Sequence, residues 1–118
     1  MNFELLSIHK DIAVVADGFC INTVDDALEL IANVSYQAGC SGLVITQQCL
    51  KPDFFDLKTG FAGEVLQKFT TYNMRMGIVG DFSAVTSKSL NDFIYESNKH
   101  KKIVFTDTVE KAIQMLSE

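Results

Sequence analysis

The residues best suited to chemistry lie between positions 52 and 69, PDFFDLKTGFAGEVLQKF. This stretch holds the chain's single proline, two adjacent phenylalanines, the acids Asp53, Asp56 and Glu64, and a Thr59-Gly60 pair. With Asp81 beyond the following strand, the carboxylates Asp53, Asp56, Glu64 and Asp81 could hold Mg²⁺ through oxygen ligands, or divide acid and base roles between differently buried groups. Thr59-Gly60 stands at the head of an amphipathic run. There the free N–H groups of a first helical turn and the helix dipole favour an anion, or a phosphate carried by Thr59 itself. The plainer roles are a turn at Asp56, an N-cap at Thr59 and close packing at Gly60 and Gly63. No DxD, HExxH, GxSxG or P-loop pattern accompanies the acids, and neither His9 nor His100 lies near them.

These groups meet only if the surrounding elements bring them together. Residues 2–9 and 11–16 are short apolar segments that suit an antiparallel hairpin, followed by a turn at Asp17-Gly18. Thr23 and Asp26 resemble a capping box that opens a helix over 24–38, with Val24, Ala27, Leu28, Ile31, Val34, Ser35 and Ala38 on its inner face and Gly39 as its stop. Leu43, Val44 and Ile45 form a continuous apolar run, as in a strand covered on both faces. A helix over 61–72 would bury Phe61, Val65, Leu66, Phe69 and Tyr72. It is followed by a strand over 74–79 and a helix over 88–97, capped by Ser87, with Leu90, Phe93 and Ile94 inward. A strand over 103–105 precedes a terminal helix whose start is marked by Asp107 and Glu110, with Val109, Ala112, Ile113 and Leu116 inward.

This alternation predicts one α/β domain over residues 1–118, with a mostly parallel five-stranded sheet opened by the hairpin and about four helices. Open α/β sheets place ligands outside the carboxyl ends of their strands. Strand ends at Thr46, Gly80 and Thr106 would then point one way, and the loops after them would form a rim carrying Asp53, Asp56, Thr59, Gly60, Asp81, Ser83, Thr86, Ser87 and Asp107. Phe54 and Phe55 cannot both face inward from extended backbone, although one helical turn after Pro52 would allow it. An exposed ring there would suit a partner or small ligand, and two inward rings would close the lid of the core.

The 118 residues carry a net charge of −5, and the excess is uneven. Residues 1–50 contain six acids against Lys10 alone, while residues 51–118 hold nine acids and nine bases. A nucleic-acid binder needs a basic face, and the one basic run, Lys99, His100, Lys101 and Lys102, reads as a solvated turn between a helix and a strand. Cys20, Cys40 and Cys49 are odd in number and lack CxxC spacing, so neither a disulfide framework nor a zinc site is indicated. No leader-like segment and no membrane-length apolar run is present, which points to a soluble, cytoplasmic protein.

The runs DFFDLKTGFAGEVLQKF and GIVGDFSAVTSKSLNDFIYESN, with the spacing between them, resemble an uncharacterised bacterial family, domain of unknown function 4180, over nearly the whole chain. That resemblance brings no established activity. More distantly, the element order and the Thr-Gly opening the second helix are similar to the STAS (anti-sigma-factor-antagonist) fold. There a serine or threonine in a D-S-S-G-like motif is phosphorylated by a partner kinase and switches protein binding. This implies Thr59 as phosphoacceptor and Gly60 as the following glycine, although Asp56 stands three residues before Thr59 rather than beside it. The expectation is a non-enzymatic regulatory or binding module without cofactor or resident metal. It would engage a protein partner or small anionic ligand through Asp53, Phe54, Asp56, Thr59, Gly60, Glu64, Asp81 and Ser83. The alternative is a small enzyme, or a metal-dependent small-molecule or nucleotide binder, using Asp53, Asp56, Glu64 and Asp81. Exposed aromatics such as Phe54 or Tyr95 would also serve a homodimer, and neither nucleic acid nor membrane is expected as a partner.

Overall fold

The structure, a computed structural model, describes residues 6–9, 11–15, 20–37 and 39–117. The turn expected at Asp17-Gly18 and the inward position expected of Ala38 lie outside these residues. Strands β1 (Leu6–His9) and β2 (Ile12–Val15) pair antiparallel, with Leu6 opposite Val15 and His9 opposite Ile12. Strands β3 (Gly42–Thr46), β4 (Arg75–Val79) and β5 (Ile103–Thr106) then add in parallel, in the spatial order β1-β2-β3-β4-β5. Each parallel strand is laid beside the last, and crossovers of one hand place their helices on one face.

That face carries helices α1 (Val24–Ala32), α2 (Phe61–Thr71) and α3 (Lys88–His100). Ala13, Val15, Leu43, Ile45, Met76, Ile78 and Phe105 point into it and meet Ala27, Leu30, Ile31, Val34, Ala62, Val65 and Phe69. The alternate residues Ile12, Val44 and Val104 point the other way, as the two-residue period of a strand requires, onto Ala112 and Leu116 of α4 (Val109–Ser117). Both faces are covered, which explains why these strands read as unbroken apolar runs.

Helix α1 begins as its sequence implies. Thr23 Oγ1 accepts from the Asp26 N–H at 3.1 Å, while the Asp26 carboxylate accepts from the Thr23 N–H at 3.1 Å and the Asn22 N–H at 3.0 Å. Aspartate thus fills the reciprocal place usually held by Glu or Gln. The helical run continues as a five-residue π segment, Asn33–Gln37, which widens the last turn and changes its register. Ala27, Leu30, Ile31 and Val34 enter the core at ordinary helical spacing, whereas Ser35, expected inward, is exposed.

Helix α2 buries Ala62, Val65 and Phe69, but Tyr72, expected on the same stripe, is 56% exposed. The chain has already left the helix there. Asn73 adopts a left-handed conformation (φ 55°) and the Met74 N–H donates to the Phe69 carbonyl at 2.8 Å, a Schellman-type ending that turns the chain into β4. At α4 the expected cap also moves by one residue. Thr108 Oγ1, rather than Asp107, accepts from the Lys111 N–H at 3.2 Å, and Asp107 pairs instead with Lys111 Nζ at 2.9 Å. The basic run supplies the last turn of α3 and its left-handed cap at Lys101, where positive charge suits the helix dipole.

At the amino end of the strands, Arg75 ties three elements together. Its guanidinium donates to the Leu116 carbonyl at the end of α4, to Ser41 Oγ at 2.9 Å and to the Asp11 carboxylate at 3.4 Å. Ser41 in turn donates its hydroxyl and, at 3.1 Å, its backbone N–H to Asp11. Burial first, then the Asp11 carboxylate, pushes the neighbouring Cys40 thiol up, away from the thiolate a nucleophile needs. None of Cys20, Cys40 and Cys49 forms a disulfide. Among the described residues no helix is long and apolar enough to cross a membrane.

Helix α4 lies close to the sheet because position 77 has no side chain. A Cβ there would stand 2.9 Å from Ala112 Cβ and 3.3 Å from Val44 Cγ2, both on packed elements with little room to yield. Gly77→Ala is expected to lower stability by about 1–3 kcal/mol through overpacking, measured as the midpoint of urea denaturation. An unchanged midpoint would mean that α4 does not rest on β4.

Candidate functional site

Between β3 and α2 the chain winds into three successive 3₁₀ turns, Gln47–Cys49, Pro52–Phe55 and Leu57–Thr59. Pro52 opens the second, where its fixed φ is an advantage and its missing N–H costs nothing. This turn lets both adjacent rings pack. Phe54 is 1% exposed and belongs to the core, so the expectation of Phe54 as a binding residue gives way to a structural role worth about 2–3 kcal/mol of apolar burial. Phe55 is half-buried at the surface of the same core.

Thr59 fastens the turns to one another. Its hydroxyl lies 2.8 Å from the Asp53 carbonyl and 2.9 Å from the Asp56 carbonyl, to which it donates, and it accepts from the Phe61 N–H at 3.2 Å. Gly60 follows in a left-handed conformation (φ 77°) that an L side chain would strain. The N-cap position of α2 is therefore Gly60, with Thr59 satisfying one of the helix's first amides from one residue further back. Asp56 Oδ1 accepts from the Lys58 N–H at 3.4 Å, and Asp53 pairs with Lys51 at 3.5 Å.

The loop after β4 is organised by its own aspartate. Asp81 Oδ1 accepts from the Ser83 N–H at 3.0 Å and from Ser83 Oγ at 2.5 Å. The serine hydroxyl, then its backbone N–H, holds the Asp81 carboxyl below the usual carboxylate range. Across the end of β5, Lys111 likewise holds Asp107 down, against a smaller upward push from Asp81.

Two groups of expected residues thus form. Asp53, Asp56, Thr59 and Gly60 share the knot before α2, and Asp81 and Ser83 share the turn after β4. The link between them is aromatic. Phe54 meets Phe55 edge-on (5.2 Å between centroids), Phe55 lies 6.1 Å from Phe82, Phe82 meets Phe105 at 5.2 Å, and Phe105 meets Phe93 at 5.8 Å. A depression of about 470 Å³ opens beside this chain, lined by Phe55, Asp56, Leu57, Lys58, Ser87 and Ser89. A second, of about 520 Å³, lies across Phe55 and is lined by Gln47, Gln48, Leu50, Pro52 and Phe55.

Leu57, Lys58 and Ser89, which also line the first depression, carry no signal of it themselves in the sequence, whereas Phe55 stood out as one of two adjacent rings. The winding of residues 57–59 into a turn brings Lys58 to the depression, and its only trace in the sequence is the turn-forming aspartate two residues before it. Glu64 is exposed one turn into α2 and lines neither depression. Among the described residues no three His, Cys, Asp or Glu side chains stand together as a metal ligand set. No three of Asp53, Asp56, Glu64 and Asp81 therefore come together in such a set. Asp81 and Asp107 are displaced downward, opposite to what a general acid at neutral pH requires.

A family model described as "Domain of unknown function (DUF4180)" matches residues 8–116, nearly all of the chain. The chain belongs to the DUF4180 family. No curated protein and no solved structure matches it. The DUF4180 match spans both loops of the rim, helices α1 to α3 and all of α4 but Ser117, so the knot at Thr59 and the turn at Asp81 both fall within it.

The lowered Asp81 and Asp107 carboxyls give this DUF4180 chain a defined acid response. A depressed folded value contributes stability in full above the unfolded value of 3.8, and that contribution is lost as pH falls through the folded value. Urea midpoints taken between about pH 6 and pH 2 are expected to fall less steeply for Asp81→Asn than for the wild type. Parallel declines in the two proteins would remove the ionised Asp81–Ser83 turn from the description.

Proposed function

We propose that this chain is a small cytoplasmic, non-enzymatic regulatory or binding module of STAS-like architecture. It engages a protein partner or a small anionic ligand through the rim at the carboxyl ends of its strands. The observation that carries the reading is the depression between the Asp56–Lys58 turn and the start of α3. It combines an aromatic wall, Phe55, with one cation, Lys58, and the capping hydroxyl of Ser87, which accepts from the Leu90 N–H at 3.3 Å. An apolar wall with a few convergent polar groups is what a recognition site requires.

Thr59 is the regulatory residue in this reading. Thr59 is an exposed residue, and a phosphate on its hydroxyl would abolish the donation to the Asp53 and Asp56 carbonyls and place about two negative charges at the head of α2. The turns that shape the depression would then rewind or stay according to its phosphorylation state.

The test uses isotope-labelled protein titrated with inorganic phosphate, followed by the amide signals of Lys58, Lys88 and Ser89, in parallel with capture of partners from a bacterial lysate. Lys58→Glu and Asp56→Asn, both at exposed positions, are expected to keep the wild-type melting temperature within about 2 °C. Lys58→Glu is expected to lose the phosphate-dependent shifts, or both variants to lose the captured protein. Variants that retain the fold, the shifts and the captured protein would count against the rim.

A further inference from the structure

We propose that Asn98 closes the β5 edge of the sheet against strand addition by a second copy of this chain. Strand β5 is an outermost strand. The Met76 N–H donates to the Lys102 carbonyl at 3.0 Å and the Gly80 N–H to the Thr106 carbonyl at 2.9 Å, so the peptides of the even-numbered residues face β4. By the alternation of a strand, the peptide groups of Ile103 and Phe105 face outward. Such an edge is a template for another chain.

At Phe105 that template is already occupied. The Phe105 N–H donates to Asn98 Oδ1 at 2.7 Å, and Asn98 Nδ2 donates to the Phe105 carbonyl at 3.2 Å. A primary amide carries one acceptor and a donor pair, so it reproduces the paired contacts a neighbouring peptide would make. Asn98 therefore acts as a one-residue surrogate strand. It is held in place by α3, whose Phe93 ring packs edge-on against Phe105. Because β5 is only four residues long, one amide blocks a large share of its outward peptides. Exposed Lys101 and Lys102 at its start add the positive charge that discourages edge pairing.

The occupant kept out is a second copy, because a two-fold axis beside β5 would pair the strand antiparallel with itself, a self-complementary arrangement. Asn98 lines neither depression at the rim, so this inference stands apart from the proposed binding role.

Amide hydrogen exchange and sedimentation velocity test it together. In the wild type the Phe105 amide is expected to exchange at least about tenfold more slowly than an unprotected amide, with no concentration-dependent association. Asn98→Ala is expected to lose that protection at low concentration and to form dimers or larger species as concentration rises. If Asn98→Ala does not fold, Asn98→Asp keeps the acceptor for the Phe105 N–H but sets an oxygen against the Phe105 carbonyl, and is read in the same way. Wild-type Phe105 exchanging at the unprotected rate, or a folded Asn98 variant that stays in the wild-type association state, would overturn the proposal.

Discussion

The level ending of three parallel strands is the constraint on which the functional end depends. Thr46 lies opposite Val79, and Val79 opposite Thr106, so β3, β4 and β5 stop in line. Their loops therefore leave from neighbouring points at one end of the molecule. A slip of one residue would send every side chain of a strand to the opposite face, away from its helices, so the two-faced core enforces this register. Gly77 and Gly80 refine it. The first admits α4, and the second lies beneath Gln47, whose Cβ would stand 2.8 Å from a Cβ placed on Gly80. The β3 and β4 loops are thereby brought into contact.

The two ends of the sheet are fastened by different physics. At the amino ends, Arg75 joins Asp11, Ser41 and the last turn of α4 through charge-assisted hydrogen bonds. At the carboxyl ends the fastening is a run of phenylalanines, and the polar groups serve their own turns. Asp56, Thr59, Asp81, Ser83 and Thr108 each complete a local hydrogen-bond pattern. Aromatic packing excludes water between the loops without consuming their hydroxyls and carboxylates, most of which stay at the surface. An exposed polar surface held on a rigid apolar foundation is suited to recognition.

What could be read from the sequence was local or periodic. The capping box at Thr23 was legible because its partners are three residues apart, and the strands were legible because burial on both faces leaves continuous apolar runs. The rim followed from the order of elements. The interior of the rim did not, because it depends on conformations that composition underdetermines. Thr59 looks like an ordinary cap until three 3₁₀ turns bring the Asp53 and Asp56 carbonyls to its hydroxyl. Phe54 and Phe55 are indistinguishable as letters, and only the turn after Pro52 decides which becomes core and which lines the depressions. Tyr72 continues the helical period of α2 perfectly well, yet the left-handed Asn73 ends the helix and leaves it outside. Asn98 could not be recognised without the fold, since its partner lies seven residues on, across the joint between α3 and β5.

The claim at the centre is that the loops after β3 and β4 are one surface, joined where Phe55 meets Phe82. The direct measurement is a double-mutant cycle on Phe55→Ala and Phe82→Ala, with stability read by urea denaturation. Joined loops give a coupling of about 0.5–1.5 kcal/mol, the range for an aromatic pair in contact. Losses that add to within about 0.3 kcal/mol would contradict it, because independent loops cannot form a shared rim.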